Sequence, residues 1–318
     1  MISRRDYLRL CMAVSTGSML KSASLWANEK SGMASGILIT RRIPSSGETL
    51  PVVGLGSSAT FSSAAGSHDV EALKQVFTAM VERGGSVFDT APSYGASESV
   101  AGGIVNDIGI RDKVFWATKL NVAGYGGGKA DVARARAQIE ASFNAVRKPV
   151  IDLIQVHNLG DLPTQLPLLK DLRDQKRIRY MGVTTTFPSQ YDYLEKVMRD
   201  EPLDFIGVDY AIDNRIMEER ILPLAQDRGI AVLVYAPFGR SRLFSLVKGH
   251  EVPGWADELG IRSWGQYFLK FVVSHPAVTC ATPATSRPKN MVDNMGAAYG
   301  DLPDASMRNR MAQHIQSL

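Results

Sequence analysis

Short apolar runs alternate with stretches of helical spacing along most of the chain. The runs are bounded by polar residues, glycine or proline, and between them apolar residues recur three or four positions apart. The predicted strands are Pro51–Leu55, Val87–Asp89, Val114–Thr118, Ile151–Val156, Tyr180–Val183, Phe205–Val208, Ile230–Tyr235 and Val278–Thr282. The clearest predicted helices are Val70–Val81, Ala130–Val146, Gln190–Met198 and Glu218–Asp227. Buried strands that alternate with amphipathic helices predict a parallel sheet covered by helices.

Eight such units predict an α/β fold of the closed (β/α)8 TIM barrel type rather than an open sheet. No Gly-x-Gly-x-x-Gly motif stands at a strand-to-helix junction, which counts against a Rossmann domain. Ahead of the first strand, Gly36–Pro44 and Leu50–Gly56 flank a Ser/Gly turn and predict an N-terminal β-hairpin. No linker divides the body, so we expect one barrel domain over residues 36–318.

The first 27 residues differ from the rest. The pair Arg4-Arg5 precedes Leu10–Leu20, a weakly apolar run that is too short to span a bilayer. This pattern resembles a twin-arginine signal, so residues 1–27 are predicted to be a signal peptide, with cleavage near Ala27. The export machinery of that pathway would be a partner, and the periplasm the location. The alternative is a disordered tail on a cytoplasmic protein. No other run approaches about 18 apolar residues, so no stable membrane insertion is expected after processing.

Charge and cysteine usage exclude several classes of function. The chain has 36 Lys and Arg against 32 Asp and Glu, and their scatter gives no basic stripe for nucleic acid. Of its two cysteines, Cys11 falls in the predicted signal and only Cys280 would remain. A single thiol excludes an internal disulfide and a cysteine-based metal site, and no metal is predicted.

Polar residues follow three consecutive predicted strands at their carboxyl ends. They are Asp89 with Tyr94 in the loop after it, Lys119, and His157. Taken singly, each has a structural explanation: a turn or cap former, a packed aromatic, a solvated cation, a buried histidine. Because active sites of barrels form at these strand ends, the four together favour a catalytic site.

The four side chains also make chemical sense as a set. A phenol has a pKa of about 10, and a nearby ammonium lowers it while a carboxylate holds that ammonium in place. Tyr94 would then donate a proton to a carbonyl oxygen that His157 orients, as a hydride reaches the carbon. No side chain supplies a hydride, so a cofactor must.

These residues lie in stretches that resemble the aldo/keto reductase family across residues 37–318. The stretches are Leu50–Ser57, Phe88–Glu98, Ala117–Lys119, Ile151–His157, Tyr180–Val183 and Pro283–Ser286. The resemblance implies that Tyr94 is the general acid, that Lys119 and Asp89 tune it, and that His157 positions the carbonyl. It further implies NADPH as cofactor on the carboxyl-terminal face of the barrel, a small carbonyl substrate, and a monomer.

The resemblance also implies a set of cofactor-binding residues, with Tyr235 stacked on the nicotinamide. The set is Gly56, Ser57, Thr184, Thr185, Tyr235, Pro237, Phe238, Arg240, Thr285, Arg287, Asp293 and Asn294. Thr184-Thr185 stand where members carry Ser-Asn, and Gly207 stands where a Gln is expected.

The residues expected at the 2′-phosphate of the cofactor also depart from the family pattern. Ala284 and Asn290 replace basic residues, although Arg287 and Lys289 lie nearby. We therefore expect either weaker affinity for the nicotinamide or a relaxed preference for NADPH over NADH, so that NADH could also serve as cofactor.

Two other functions are left open by the residues. One is an aldolase that uses Lys119 as a Schiff-base nucleophile, which Asp89 disfavours by keeping the amine protonated. The other is a non-catalytic barrel that binds a dinucleotide or another ligand as a sensor or accessory subunit. In this fold, loops set specificity, here Ser57–Phe61, Val122–Lys129 and Gly239–Pro253, and a small apolar or aromatic carbonyl is expected.

Overall fold

The structure is a computed structural model that describes residues 36–58, 60–61, 67–123 and 128–318. The predicted signal peptide, residues 1–27, lies outside the described residues, as does Cys11. Part of the predicted substrate loop Val122–Lys129 is outside them as well.

An antiparallel hairpin precedes the barrel, as predicted. Strand β1 (Thr40–Arg42) pairs with β2 (Thr49–Pro51), and Thr40 lies opposite Pro51. Ile43 and Leu50 beside the turn are buried and pack into the interior of the barrel. Because Pro51 belongs to the hairpin, the first barrel strand begins later than the sequence pattern predicts.

In the described part of the chain, eight parallel strands form the barrel wall, which confirms the predicted fold. They are β3 (Leu55–Gly56), β4 (Val87–Asp89), β5 (Phe115–Leu120), β6 (Ile151–Val156), β7 (Ile178–Thr185), β8 (Phe205–Asp209), β9 (Ala231–Tyr235) and β10 (Val278–Ala281). Each strand pairs with the next in chain order. Parallel bridges from Val53 to Ala281 and from Gly56 to Ala284 join the first strand to the last and close the barrel.

Helices cover the outside of the barrel. They are α1 (Ser67–Glu82), α2 (Ser97–Asp107), α3 (Val132–Val146), α4 (Leu162–Asp174), α5 (Tyr191–Asp200), α6 (Ile221–Arg228), α7 (Arg242–Leu246), α8 (Trp264–Val273), α9 (Pro288–Gly296) and α10 (Ala305–Gln316). Asp131, Ser263 and Asp304 cap α3, α8 and α10 by accepting a hydrogen bond from a first-turn N–H. Among the described residues, no helix is long and apolar enough to cross a membrane.

The barrel interior is apolar at one end and polar at the other. Near the hairpin, the rings of Phe115, Tyr180 and Phe205 pack with centroids 5.5 to 6.0 Å apart. Phe115, Ala117 and Lys119 lie on the same face of β5, because alternate residues of a strand face the same side. The apolar layers thus seal the barrel beneath the carboxyl-terminal end, where the polar side chains lie.

Arg308 on α10 is a buried cation that ties the last helix to its neighbours. Its Nη2 donates to Tyr210 Oη at 2.6 Å and to Glu218 Oε1 at 2.7 Å. Its Nη1 donates to Ser274 Oγ at 2.6 Å and to the carbonyl oxygen of Phe271. Removing the guanidinium would leave several of these buried groups without a partner.

We expect Arg308→Met to lower the free energy of unfolding by about 3–5 kcal/mol, because buried partners of a removed charge lose their hydrogen bonds. Urea denaturation at fixed pH measures the change. Arg310→Met is the matched control, since this exposed arginine lies over the Trp255 ring at 4.2 Å. It should cost less than about 1 kcal/mol. Equal costs for the two variants would contradict the assignment.

Candidate active site

A cavity of about 960 Å³ opens at the carboxyl-terminal end of the barrel. Among the described residues, those at the ends of every barrel strand except β8 line it. Its size falls in the range of small-molecule sites, roughly 300–1,000 Å³. This end of the barrel is the one at which the sequence places its candidate chemistry.

A buried ion pair lies at the base of the cavity. Lys119 Nζ donates to Asp89 Oδ1 at 2.7 Å and to the carbonyl oxygen of Thr90 at 2.7 Å. The two side chains are only 1% and 5% exposed. Lys119 also interacts electrostatically with Tyr94, which lies beside the ammonium.

The surroundings shift both pKa values of the pair. Burial alone would lower the pKa of Lys119, but the charge and hydrogen bond of Asp89, together with the interaction with Tyr94, outweigh burial and raise it. Burial raises the pKa of Asp89, against the opposing effects of Lys119 and Tyr235. The amine is therefore held as an ammonium.

Tyr94 and His157 complete the group that the sequence predicts to converge. The two rings meet edge to face with centroids 5.9 Å apart, and Lys119 Nζ lies 5.2 Å from the centre of the Tyr94 ring. Burial and the charge of Lys119 lower the pKa of His157 to about 3, so its imidazole is neutral at neutral pH. Within the described part of the chain, His157 Nδ1 is buried without a partner. An orphan N–H is costlier than an orphan lone pair, which assigns the proton to Nε2.

Most of the predicted cofactor residues border the same cavity. Those that line it are Gly56, Ser57, Thr184, Tyr235, Pro237, Phe238 and Arg240. A Cβ on Gly56 would lie 2.5 Å from the carbonyl oxygen of Thr282, so glycine allows the close approach of these two loops. Ser57 Oγ donates to Asp89 O at 2.9 Å, and Arg240 Nη2 donates to Thr186 Oγ1 at 3.1 Å.

Thr185 is turned away from the cavity. Its Oγ1 donates to Gln190 Oε1 at 2.5 Å and accepts from the Phe187 N–H at 3.1 Å. The neighbouring Thr184 Oγ1 accepts from the Asn158 N–H at 3.2 Å and borders the cavity. The predicted pair of threonines is thus divided between two environments.

The remaining predicted residues lie just before α9 and within it, beyond the residues that line the cavity. Thr285 Oγ1 accepts from the Arg287 N–H at 3.1 Å, and the Arg287 side chain is exposed. The Asp293 carboxylate accepts from Ser263 Oγ at 2.6 Å and from a side-chain N–H of α8 at 2.9 Å. Asn294 is buried. Asp293 therefore already binds the neighbouring helix.

Tyr235 extends into the barrel beside Gly207. A Cβ on Gly207 would lie 2.5 Å from Tyr235 Oη and 2.7 Å from Cζ, so the tyrosine occupies the space of a side chain at that position. Its hydroxyl accepts from Gln155 Nε2 at 2.8 Å and donates to Asp89 Oδ2 at 3.1 Å.

Gln155 and the cavity-lining Asn121 and Asn158 are not among the residues that the sequence predicts for the site. A signal for Gln155 exists. It is a polar residue inside a buried strand, two positions before His157, and residues two apart on a strand face the same side.

The chain matches known proteins over most of the barrel. Aldo-keto reductase YhdN of Bacillus subtilis (strain 168) is 32% identical over 199 residues, which are 60% of this chain and 59% of that protein. The chain thus aligns with about three fifths of that relative's length.

Several solved structures share the fold. An aldo/keto reductase from Klebsiella pneumoniae, in complex with NADP and acetate, superposes with a TM-score of 0.72 at 22% identity, covering 88% of this chain and 96% of that one. The holo form of an aldo-keto reductase from Bacillus halodurans gives 0.71 at 19% identity, with the same coverage. A glycerol dehydrogenase from Gluconobacter oxydans gives 0.70 at 24% identity, covering 87% and 95%. At these sequence identities, the similarity shows a shared fold and nothing further.

The family model described as Aldo/keto reductase family matches residues 52–314, well over half of the chain. The protein therefore belongs to the aldo/keto reductase family.

Proposed function

We propose that the protein reduces aldehyde or ketone carbonyls by hydride transfer from NADPH, with Tyr94 as general acid. The observation that carries the proposal is the buried Lys119–Asp89 pair beneath Tyr94, beside a neutral His157 at a cavity of about 960 Å³. Family membership supports it. The NADP complex of the Klebsiella pneumoniae relative supports the choice of cofactor.

The residues around the cavity fit a dinucleotide. Gly56 allows a close approach of the backbone at the rim, and Ser57 and Thr184 also line the cavity. Arg240 borders it, while Arg287 and Lys289 are exposed beside the loop after β10. Exposed cations suit the phosphates of the cofactor. NADPH, when bound, supplies the hydride.

The side chains of this chain supply the proton and orient the substrate. Tyr94 donates its proton to the carbonyl oxygen, and the ammonium of Lys119 stabilises the phenolate that remains. Asp89 keeps Lys119 charged and in place. The neutral imidazole of His157 donates from Nε2 to the same carbonyl oxygen and so orients it.

We expect the side chains that contact the cofactor to differ in part from the family pattern. Thr185 binds Gln190, and the position of Gly207 is filled by Tyr235. Neither presents a side chain for the carboxamide. Ala284 and Asn290 are exposed where many members carry basic residues, so Arg287 and Lys289 would hold the 2′-phosphate. We propose NADPH as cofactor with relaxed discrimination against NADH.

Tyr94→Phe tests the assignment of the acid. It should lower kcat for carbonyl reduction by about 10²-fold or more, because proton transfer to the oxygen is lost, and leave the Kd for NADPH nearly unchanged. Absorbance of NADPH follows turnover of an aldehyde and ketone panel. Tyr193→Phe, at an exposed tyrosine on α5, is the matched control and should behave as the parent.

Three outcomes would lead elsewhere. Equal activity of parent and Tyr94→Phe would refute the acid. Tight NADPH binding without turnover of any carbonyl would assign a sensor or accessory subunit instead. Borohydride trapping of a ketone on Lys119 would assign the aldolase, against the raised pKa of that amine.

His157 should stay neutral through the working range of the enzyme. Its pKa of about 3 in the fold lies below the ordinary value of about 6.5, so its protonation favours unfolding. Stability from this group is complete above about pH 6.5 and is lost as the pH falls toward 3. Between about pH 5 and pH 8 its imidazole C–H resonances should not move in an NMR titration. His157→Asn identifies those resonances, and a midpoint near 6.5 would contradict the neutral assignment.

We propose further that residues 1–27 direct the folded barrel to the periplasm through the twin-arginine machinery. The support is the Arg4-Arg5 pair ahead of a short, weakly apolar run. In a bacterium with this pathway, the parent should be found in the periplasmic fraction in a shortened form. The double variant Arg4→Lys, Arg5→Lys should stay in the cytoplasm at full length. A full-length parent in the cytoplasm would instead establish the cytoplasmic alternative.

A further inference from the structure

Tyr235 and Gly207 form an interlocking pair on adjacent strands. In the ladder between β8 and β9, Gly207 lies opposite Leu233 and Asp209 opposite Tyr235. The end of the Tyr235 ring turns back over Gly207, where any side chain would collide with its Oη and Cζ. The glycine is therefore what allows the tyrosine hydroxyl to reach the interior of the barrel.

The direction of each hydrogen bond at this hydroxyl follows from the chemistry of its partners. An ionised carboxylate only accepts, so the single proton of Tyr235 goes to Asp89 Oδ2 at 3.1 Å. Gln155 must then present its Nε2, which lies 2.8 Å from the same hydroxyl. Gln155 is fully buried on β6 and cannot exchange this partner for bulk water.

These bonds make one connected network across the top of the barrel. Gln155 donates to Tyr235, and Tyr235 donates to one oxygen of Asp89. The other oxygen of Asp89 accepts a hydrogen bond from Lys119, whose ammonium in turn interacts with Tyr94. We propose that Tyr235 is a positioning residue whose hydroxyl fixes the Asp89 carboxylate against Lys119 and thereby sets the acidity of Tyr94. The proposal rests on the proposed function for its catalytic meaning.

The physical effect of this hydroxyl is to share the charge of Asp89. Without the hydroxyl of Tyr235, the carboxylate of Asp89 loses a charge-assisted hydrogen bond. Its negative charge then interacts more strongly with the ammonium of Lys119. Lys119 then stabilises the phenolate of Tyr94 less, and Tyr94 becomes the weaker acid. Among the described residues, the titratable groups in this network or in electrostatic contact with it are Asp89 on β4, Glu98 on α2, Lys119 on β5, His157 after β6, Tyr235 on β9 and Cys280 on β10. The thiol of Cys280 is buried, and burial raises its pKa.

A stacking role on nicotinamide needs only the ring of Tyr235, whereas the proposed role needs its hydroxyl. Tyr235→Phe separates the two. The readout is phenolate absorbance, taken as the difference between each protein and its Tyr94→Phe counterpart, without substrate. In Tyr235→Phe, the midpoint of Tyr94 should move upward by about 0.5–1 pH unit. Over the same change kcat should fall about 3- to 10-fold, with the Kd for NADPH altered less than about twofold.

Gly207→Ala tests the interlock from the other side. Its methyl group enters the space of the Tyr235 ring, so the same upward shift should appear although Tyr235 is intact. Circular dichroism checks that this variant folds, and Tyr235→Phe alone decides if it does not. Tyr191→Phe is the matched control. It removes an equivalent tyrosine–aspartate bond, 2.7 Å to Asp209 Oδ1, at the adjacent strand end, and should leave the midpoint unmoved.

The outcomes separate this inference from the proposed function. An unmoved midpoint in Tyr235→Phe would overturn the inference, whatever happens to NADPH binding. An upward shift of the Tyr94 midpoint in a protein that turns over no carbonyl would support the network and contradict carbonyl reduction. A shift of similar size in Tyr191→Phe would also overturn the inference, since the effect would then not depend on Asp89.

Discussion

The site depends on one buried ion pair, Lys119 with Asp89. Two charges taken out of water each cost several kcal/mol, and mutual attraction offsets this only where the remaining protons and lone pairs are bonded. Here Lys119 donates to Asp89 and to the carbonyl oxygen of Thr90, and its ammonium lies beside Tyr94. Both oxygens of Asp89 are bonded, one of them to Tyr235. The pair is therefore a constraint that the surrounding strands have to satisfy.

The barrel meets this constraint by dividing its interior into layers. The hairpin residues Ile43 and Leu50 pack against the interior cluster that contains Phe115, so the amino-terminal end is closed by apolar packing. A low dielectric beneath the pair strengthens its electrostatic effect on Tyr94. The same burial lowers the pKa of His157 and keeps its imidazole neutral. Closure at one end and chemistry at the other are thus two consequences of the same packing.

The amino-acid sequence predicts those features of the arrangement that depend on the periodicity of apolar residues and on the order of the strands. Alternation of buried runs with helical spacing gives the barrel, and strand ends place Asp89, Lys119 and His157 on one rim. The direction of a side chain at a strand end does not follow from period alone. Thr185 turns to Gln190 because a neighbouring helix presents an acceptor, and Asp293 binds Ser263 across two helices. The first partner lies five residues along the chain and the second thirty, and neither contact follows from the alternation of apolar and polar residues.

Gly207 lacks the side chain that the family pattern implies at this position. Loss of a side chain in a packed interior ordinarily leaves a cavity or an unpaired polar neighbour, both destabilising. At this position the space is filled by Tyr235, and the hydroxyl that fills it has a donor on one side and an acceptor on the other. A decaying site would lose partners around its buried charges, whereas this one gains a partner for Asp89. The space at position 207 is thus filled within the hydrogen-bond network around Asp89, which fits the proposed role of Tyr94 as the acid.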